Sequence, residues 1–301
     1  MDNLSNILQD DIRQRQKDPL DRLNEELNKA RLDPLEYVKQ PPIIFSILEQ
    51  SATQTVERRV FTLGNFSSIT GKAKSKKTYL LSSIAAAIIG QKTIFNKFIG
   101  HDIGKNKVLY FDTEQGRWDA LNVVKRILTL AGVNKDRFVG YALREFEPKT
   151  RCELIDLALM QHGDEAGFVV IDGIADLANA INDEDEATRV TSLLLKWSAI
   201  YDCHIATVIH QNKNDNFATG HLGTAVMKKA EVIISVTTDP KNKAVSYVEC
   251  DLIRGGMGFE RLKLSIDAYG MPMVDDIKPE IETRLTEEIR TEIIDEDNLP
   301  Y

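Results

Sequence analysis

Residues 69–90 read ITGKAKSKKTYLLSSIAAAIIG, and within them Gly71, Lys77 and Thr78 stand at the spacing of the phosphate-binding pattern G-x-x-x-x-G-K-[ST], with Lys76 in place of the second glycine. The chemistry of such a loop is anion binding. Successive backbone N–H groups wrap the phosphates, the following helix directs its positive end at them, a lysine adds charge and a hydroxyl offers a magnesium ligand. The candidate nucleotide-binding residues are therefore Gly71, Lys72, Ala73, Lys74, Ser75, Lys76, Lys77, Thr78 and Tyr79. A side chain at position 76 restricts a backbone that glycine would leave free, and it threatens to crowd the phosphates. Against that, Lys72, Lys74, Lys76 and Lys77 make the loop strongly basic, so Lys76 either leaves the phosphate cradle or joins it as an extra cation. By itself the stretch is equally well a basic surface turn ahead of a core helix.

A phosphate loop needs a strand before it and a helix behind it. FSSIT can be the strand, and KTYLLSSIAAAIIG is a run of good helix formers closed by Gly90. From Val60 onward short apolar runs alternate with helical stretches, the pattern of a mostly parallel sheet with helices on its faces. The clearest buried strands are KVLYFDT (107–113), GFVVIDG (167–173), HIATVIHQ (204–211) and EVIISVTT (231–238), and the first three end in polar residues. Between them GRWDALNVVKRILTLAG and DEATRVTSLLLKWSAIYD carry apolar residues at helical spacing. VSYVECDLI and ERLKLSID then read as two antiparallel strands about the turn RGGMGF. The expected fold class is α/β.

The chain has 301 residues and a net charge of -8, of which residues 275–301 supply most, with ten acids against three bases. What precedes that tail is close to neutral, so a polyanionic partner is neither excluded nor advertised. Residues 1–40 read as a polar helical arm interrupted at Pro19 and Pro34, solvated or packed on a neighbouring subunit, and Pro41 and Pro42 mark its end. The expected organisation is an arm over 1–40, one domain over 41–274 and an acidic tail over 275–301. No apolar run is long enough to cross a membrane, and the N-terminus lacks the basic-then-apolar layout of a signal peptide. Cys152, Cys203 and Cys250 are far apart and odd in number, which suits a reducing cytoplasm better than a disulfide framework or a metal cluster.

The order and spacing of these motifs over roughly Pro41 to Val274 resemble the RecA-like ATPases, and within them the hexameric replicative helicases of the DnaB and plasmid RepA type. The resemblance implies a RecA-like twisted sheet, ATP and Mg2+ as ligands, and a role for each strand end. VLYFDTEQG resembles the strand whose terminal glutamate orients the attacking water, which maps onto Glu114, with Asp112 as the weaker alternative. GFVVIDGIADL resembles the Walker B strand, so Asp172 would hold magnesium together with Thr78. ATVIHQNK resembles the strand ending in a γ-phosphate sensor, placing Gln211 in that role with His210 as runner-up. CDLIRGGMGFERLKL resembles the segment carrying an arginine finger into the neighbouring subunit's ATP; Arg254 matches it, although Leu252 stands where that family often has lysine. With Lys77, these residues form the expected catalytic set.

In that family the segment after the sensor, here NKNDNFATGHLGTAVMKKAE, is a polar loop facing nucleic acid. Lys213, Asn214, His221, Lys228 and Lys229 are the candidate phosphate contacts, an ordinary surface loop being the competing reading. The other expected pore loop, GIADLANAINDEDEATR, is acidic and repels a polyanion. The resemblance thus implies an ATP-hydrolysing, helicase-like motor in replication or mobilisation of a plasmid or other mobile element, working as a homo-oligomer, six-fold in the helicases. Protein partners would approach through the arm and the tail. The alternative is a nucleotide-binding assembly or regulatory module in which the altered loop supports little turnover.

Overall fold

The computed structural model describes residues 19–50, 54–211 and 218–277. The chain divides between Gln40 and Pro41. In the first unit α1 (Pro19–Ala30) begins on proline, whose missing N–H is harmless in a first helical turn. None of its residues is buried, and Leu20, Leu23 and Leu27 form an exposed stripe along one face.

The second unit is built on a nine-stranded sheet in the order β13-β12-β11-β10-β3-β9-β8-β6-β7. Its parallel part comprises β3 (Phe66–Gly71), β6 (Lys107–Asp112), β7 (Phe138–Ala142), β8 (Ala166–Asp172), β9 (His204–His210) and β10 (Val232–Thr238). β11 (Val245–Ile253), β12 (Leu262–Ile266) and β13 (Pro272–Asp276) extend it antiparallel from β10. β8, AGFVVID, is buried along its whole length, as a strand covered on both faces must be.

Helices cover both faces. α2 (Lys77–Gly90) and α3 (Arg117–Ala131) pack on one, and α4 (Pro148–His162), α5 (Glu184–Ile200) and α6 (Gly220–Lys229) on the other. α2 is apolar on all sides and buried almost throughout. α5 starts on Asp183, whose side chain accepts from the Glu186 N–H. The α/β architecture with helices on both faces and antiparallel C-terminal strands is the one expected from the sequence. A second sheet beside α2, in the order β2-β1-β5-β4, was not: β1 (Ile43–Gln50), β2 (Thr55–Thr62), β4 (Thr93–Ile94) and β5 (Phe98–Gly100) form a small antiparallel layer.

Three local expectations are corrected. The left-handed residue closing α2 is Gln91 (φ 48°), Gly90 being the last helical residue. Residues 220–229 are helix α6, not loop, because Leu222 and Val226, one turn apart, bury against the core. The acidic tail does not begin cleanly at residue 275, since Asp275 and Asp276 belong to β13 and Asp276 pairs with the Lys97 ammonium at 2.6 Å.

Candidate nucleotide site

The loop from Gly71 to Lys76 leaves the carboxyl end of β3, a central strand, and turns directly into α2. Gly71 is needed here for closeness of approach: a Cβ would lie 2.5 Å from both the Ser75 Oγ and the Val236 carbonyl oxygen. Position 76 adopts φ 72° and ψ 25°, the left-handed conformation. Lysine thus occupies a conformation suited to glycine, at a strain of about 1 kcal/mol or more. The Lys76 ammonium is held outside the loop, donating to the Lys243 carbonyl at 2.8 Å and to the Ser246 Oγ at 3.1 Å. Crowding is relieved by leaving the cradle.

Two features of the loop call for an anion. α2 begins with no side-chain cap, so its first N–H groups are available. The Ser75 hydroxyl is buried with no hydrogen-bond partner. Lys77 is buried, and its ammonium donates to the Gly71 and Lys72 carbonyls, both at 2.9 Å. Burial pulls the Lys77 pKa down, while the charges of Glu114 and Asp172 push it back up.

The ends of β6, β8 and β9 meet the loop. Thr78 Oγ1 donates to Asp172 Oδ2 at 3.1 Å, and the Tyr110 hydroxyl donates to the same oxygen at 2.7 Å. Burial raises the Asp172 pKa, and these two hydrogen bonds oppose the rise. Among the described residues no three or more His, Cys, Asp or Glu side chains gather to hold a metal by themselves. One hydroxyl beside one carboxylate is nevertheless the donor set that magnesium uses when phosphates and waters complete its shell, so the residues fit that ion.

Asp112 shapes the turn that carries Glu114. Its Oδ1 accepts from the Glu114 and Gln115 N–H groups at 3.1 and 2.7 Å, and its Oδ2 from the Gln115 amide at 2.8 Å. Burial lifts its pKa to about 6 against those hydrogen bonds. Glu114 is free to face the loop, and its Oε1 lies 3.3 Å from His210 Nε2. That hydrogen bond holds the Glu114 carboxyl below the usual range. The other imidazole nitrogen, Nδ1, is 3.3 Å from the Lys77 ammonium. His210 therefore bridges the loop lysine and the strand-end glutamate.

These groups line a cleft of about 660 Å³, which is of nucleotide size. Its outer wall comes from α3 and the C-terminal strands. Trp118 is 74% exposed there, the Arg126 guanidinium stacks on the Tyr79 ring at 3.9 Å, and Lys243 and Ile266 close the far side. Residues 43–216, more than half of the chain, match the AAA domain family. The chain belongs to that family.

No curated protein matches the sequence of this AAA domain. Among solved structures, the RadB recombinase superposes with a TM-score of 0.50 at 15% identity, over 73% of this chain and 94% of its own. At that identity the likeness establishes the fold alone, a RecA-like α/β sheet with helices on both faces.

In this AAA domain Gln211 does not line the cleft. Its amide donates to Thr70 Oγ1 at 3.2 Å, and its N–H to the Gly71 carbonyl. Arg254 likewise lies outside its own chain's cleft; it is exposed and donates to the Lys229 carbonyl at 3.2 Å, while Arg59 supports its turn through the Gly255 carbonyl at 2.8 Å. Lys213 and Asn214 fall outside the described residues. His221, Lys228 and Lys229 sit on α6, beside a groove shared with α5 and its acidic Glu184. Sequence reasoning missed Trp118, Arg126, Lys243 and Ser246. For the first two a signal exists, since they follow Glu114 on one face of an amphipathic helix, at 118, 122 and 126 with Asn122 between.

Proposed function

We propose that the chain binds and hydrolyses ATP with Mg2+ and acts on nucleic acid as a RecA-like, helicase-like motor of a plasmid or other mobile element, in the cytoplasm and as a ring or open oligomer. The observation carrying this reading is the convergence of Lys77, the Thr78–Asp172 pair and the His210–Glu114 pair at one end of the sheet, around a loop with an uncapped helix start. Lys77 exchanges its two carbonyl partners for phosphate oxygens. Thr78 and Asp172 hold magnesium, which when bound neutralises charge on the phosphates. Glu114 orients water and accepts its proton, and His210 keeps that carboxylate ionised and in place. Trp118 and the Arg126–Tyr79 stack offer planar surfaces for a base. Arg254, pointing away from its own cleft, reaches a neighbour's phosphates in the oligomer, with Gln211 relaying the state of the loop to the segment beyond it.

Turnover of ATP with and without single-stranded DNA tests this reading. Stimulation by DNA is expected. Binding without turnover would favour an assembly module, a second reading supported by the rigid placement of Lys76, and turnover indifferent to DNA would favour a regulatory ATPase, supported by the acidic start of α5.

A further inference from the structure

The β10–β11 turn is built to hold one shape. Asp239 Oδ1 accepts from the Lys241 and Asn242 N–H groups at 2.7 and 3.2 Å, its Oδ2 accepts from the Tyr247 hydroxyl at 2.9 Å, and Asn242 Oδ1 accepts from the Ala244 N–H at 3.0 Å. This turn presents the Lys243 carbonyl and the buried Ser246 hydroxyl to Lys76, and Lys243 lines the cleft. We propose that Lys76 is a positioning residue: a strut from the phosphate loop to the β10–β11 turn, which keeps position 76 left-handed without glycine and fixes Lys243 at the mouth of the nucleotide cleft.

Lys76 compensates for the glycine it replaces. A residue with a Cβ occupies the left-handed region at a cost that contacts elsewhere must offset. At position 76 the restraint is two hydrogen bonds from a charged donor to a turn that is itself held by the Asp239 and Asn242 side chains. A glycine would populate this conformation freely but would leave the loop and the turn unconnected. The lysine therefore does not damage the loop; it trades intrinsic flexibility for a tether. Lys74, at φ 65°, shows that the same loop holds a second left-handed lysine two residues earlier.

This inference rests on the nucleotide reading, and the test separates the two. The probe is Mg2+ with a non-hydrolysable ATP analogue, titrated calorimetrically into the full chain and into Lys76→Met, Lys76→Arg, Lys76→Gly and Ser246→Ala, each first checked to be fully folded, with a cooperative melt well above the titration temperature. The strut predicts that Lys76→Met, which keeps the left-handed strain and loses the donor, weakens binding about tenfold, at low and high salt alike. Lys76→Arg and Lys76→Gly should stay within about threefold, one by keeping a donor and the other by removing the strain, and Ser246→Ala should lose about two- to threefold. Equal losses in Lys76→Met and Lys76→Gly that shrink at high salt, with Ser246→Ala unchanged, would instead mean a direct phosphate contact and overturn the strut. A Lys76→Met variant that binds normally would overturn it too. Hydrogen exchange on the unliganded proteins reads the strut without nucleotide: amides of residues 74–79 and 243–246 should both exchange faster in Lys76→Met. If neither segment changes, the strut is wrong; if both change but the unaltered chain binds no nucleotide, only the nucleotide reading fails.

Discussion

His210 Nε2 lies 3.3 Å from Glu114 Oε1, joining the ends of two strands that are not neighbours in the sheet, since β8 runs between β6 and β9. His210→Ala should lower ATP turnover about tenfold to a hundredfold while changing nucleotide affinity much less, because the lost group positions the base more than it binds the ligand. The pH profile carries a second signature. The histidine hydrogen bond is what chiefly holds the Glu114 carboxyl low. Without it the carboxylate protonates at a higher pH, so the acid limb of turnover should move up. An unmoved limb in a steady-state pH series would show that Glu114 is not the base.

Lys77→Ala should weaken nucleotide binding severely, whereas Lys72→Ala and Lys74→Ala should weaken it only mildly. Only Lys77 is buried at the helix start with its ammonium on the loop's own carbonyls; Lys72 and Lys74 are exposed. Its loss should weaken binding about a hundredfold. Equal losses in all three, measured by calorimetry, would indicate a diffuse basic patch.

Glu114→Gln and Asp172→Asn should separate hydrolysis from metal use. The first is expected to retain bound ATP with turnover lost, and the second to raise the magnesium concentration needed for half-maximal activity, since Asp172 pairs with Thr78. Normal turnover in both would remove these residues from the mechanism.

Tryptophan fluorescence should report binding directly. Trp118 is exposed in the cleft while Trp197 is buried in the core, so nucleotide should quench a signal that disappears in Trp118→Phe and persists in Trp197→Phe. Quenching that survives Trp118→Phe would place the base elsewhere.

Acid stability should depend on His204. The ring is fully buried, stacked on Phe61 at 4.3 Å and bonded to Ser67 and the Thr62 carbonyl, and burial lowers its pKa to about 3. The unfolded histidine takes up its proton near pH 6.5, so stability is lost as the pH falls from about 6.5 towards 3; at pH 5 the loss is about 2 kcal/mol. Urea denaturation of His204→Phe should therefore fall less between pH 7 and pH 5 than that of the unaltered chain. Parallel declines would show that another group controls the acid limb.

β6 and β8 were legible as nearly uninterrupted apolar runs and β3 only from the loop that follows it, while β7, FVGYA, went unread; β3, β6, β8 and β9 bring the loop, Glu114 and Asp172 to one end of the sheet, with His210, the runner-up to Gln211, beside them. The small sheet was hidden because β2, TVERRVFT, is polar and partly exposed over its first half, and because β1 pairs with the three-residue β5, too short to leave a pattern. α6 was hidden by glycine and threonine at its start, where tertiary burial of Leu222 and Val226 outweighs weak propensity. The fate of Lys76 was not readable locally, since its partners lie 167 and 170 residues away.

β11 begins beside Ser246, which receives Lys76, and ends at Ile253, one residue before Arg254. At about 3.3 Å per residue the strand spans roughly 26 Å, hydrogen-bonded to β10 along nearly its whole length. Its near end is tied to the phosphate loop through Lys76, and its far end leads straight into exposed Arg254. The mouth of the cleft and a surface arginine roughly 26 Å away are thus two ends of one lever, linked by a single strand and two hydrogen bonds without passing through the core helices.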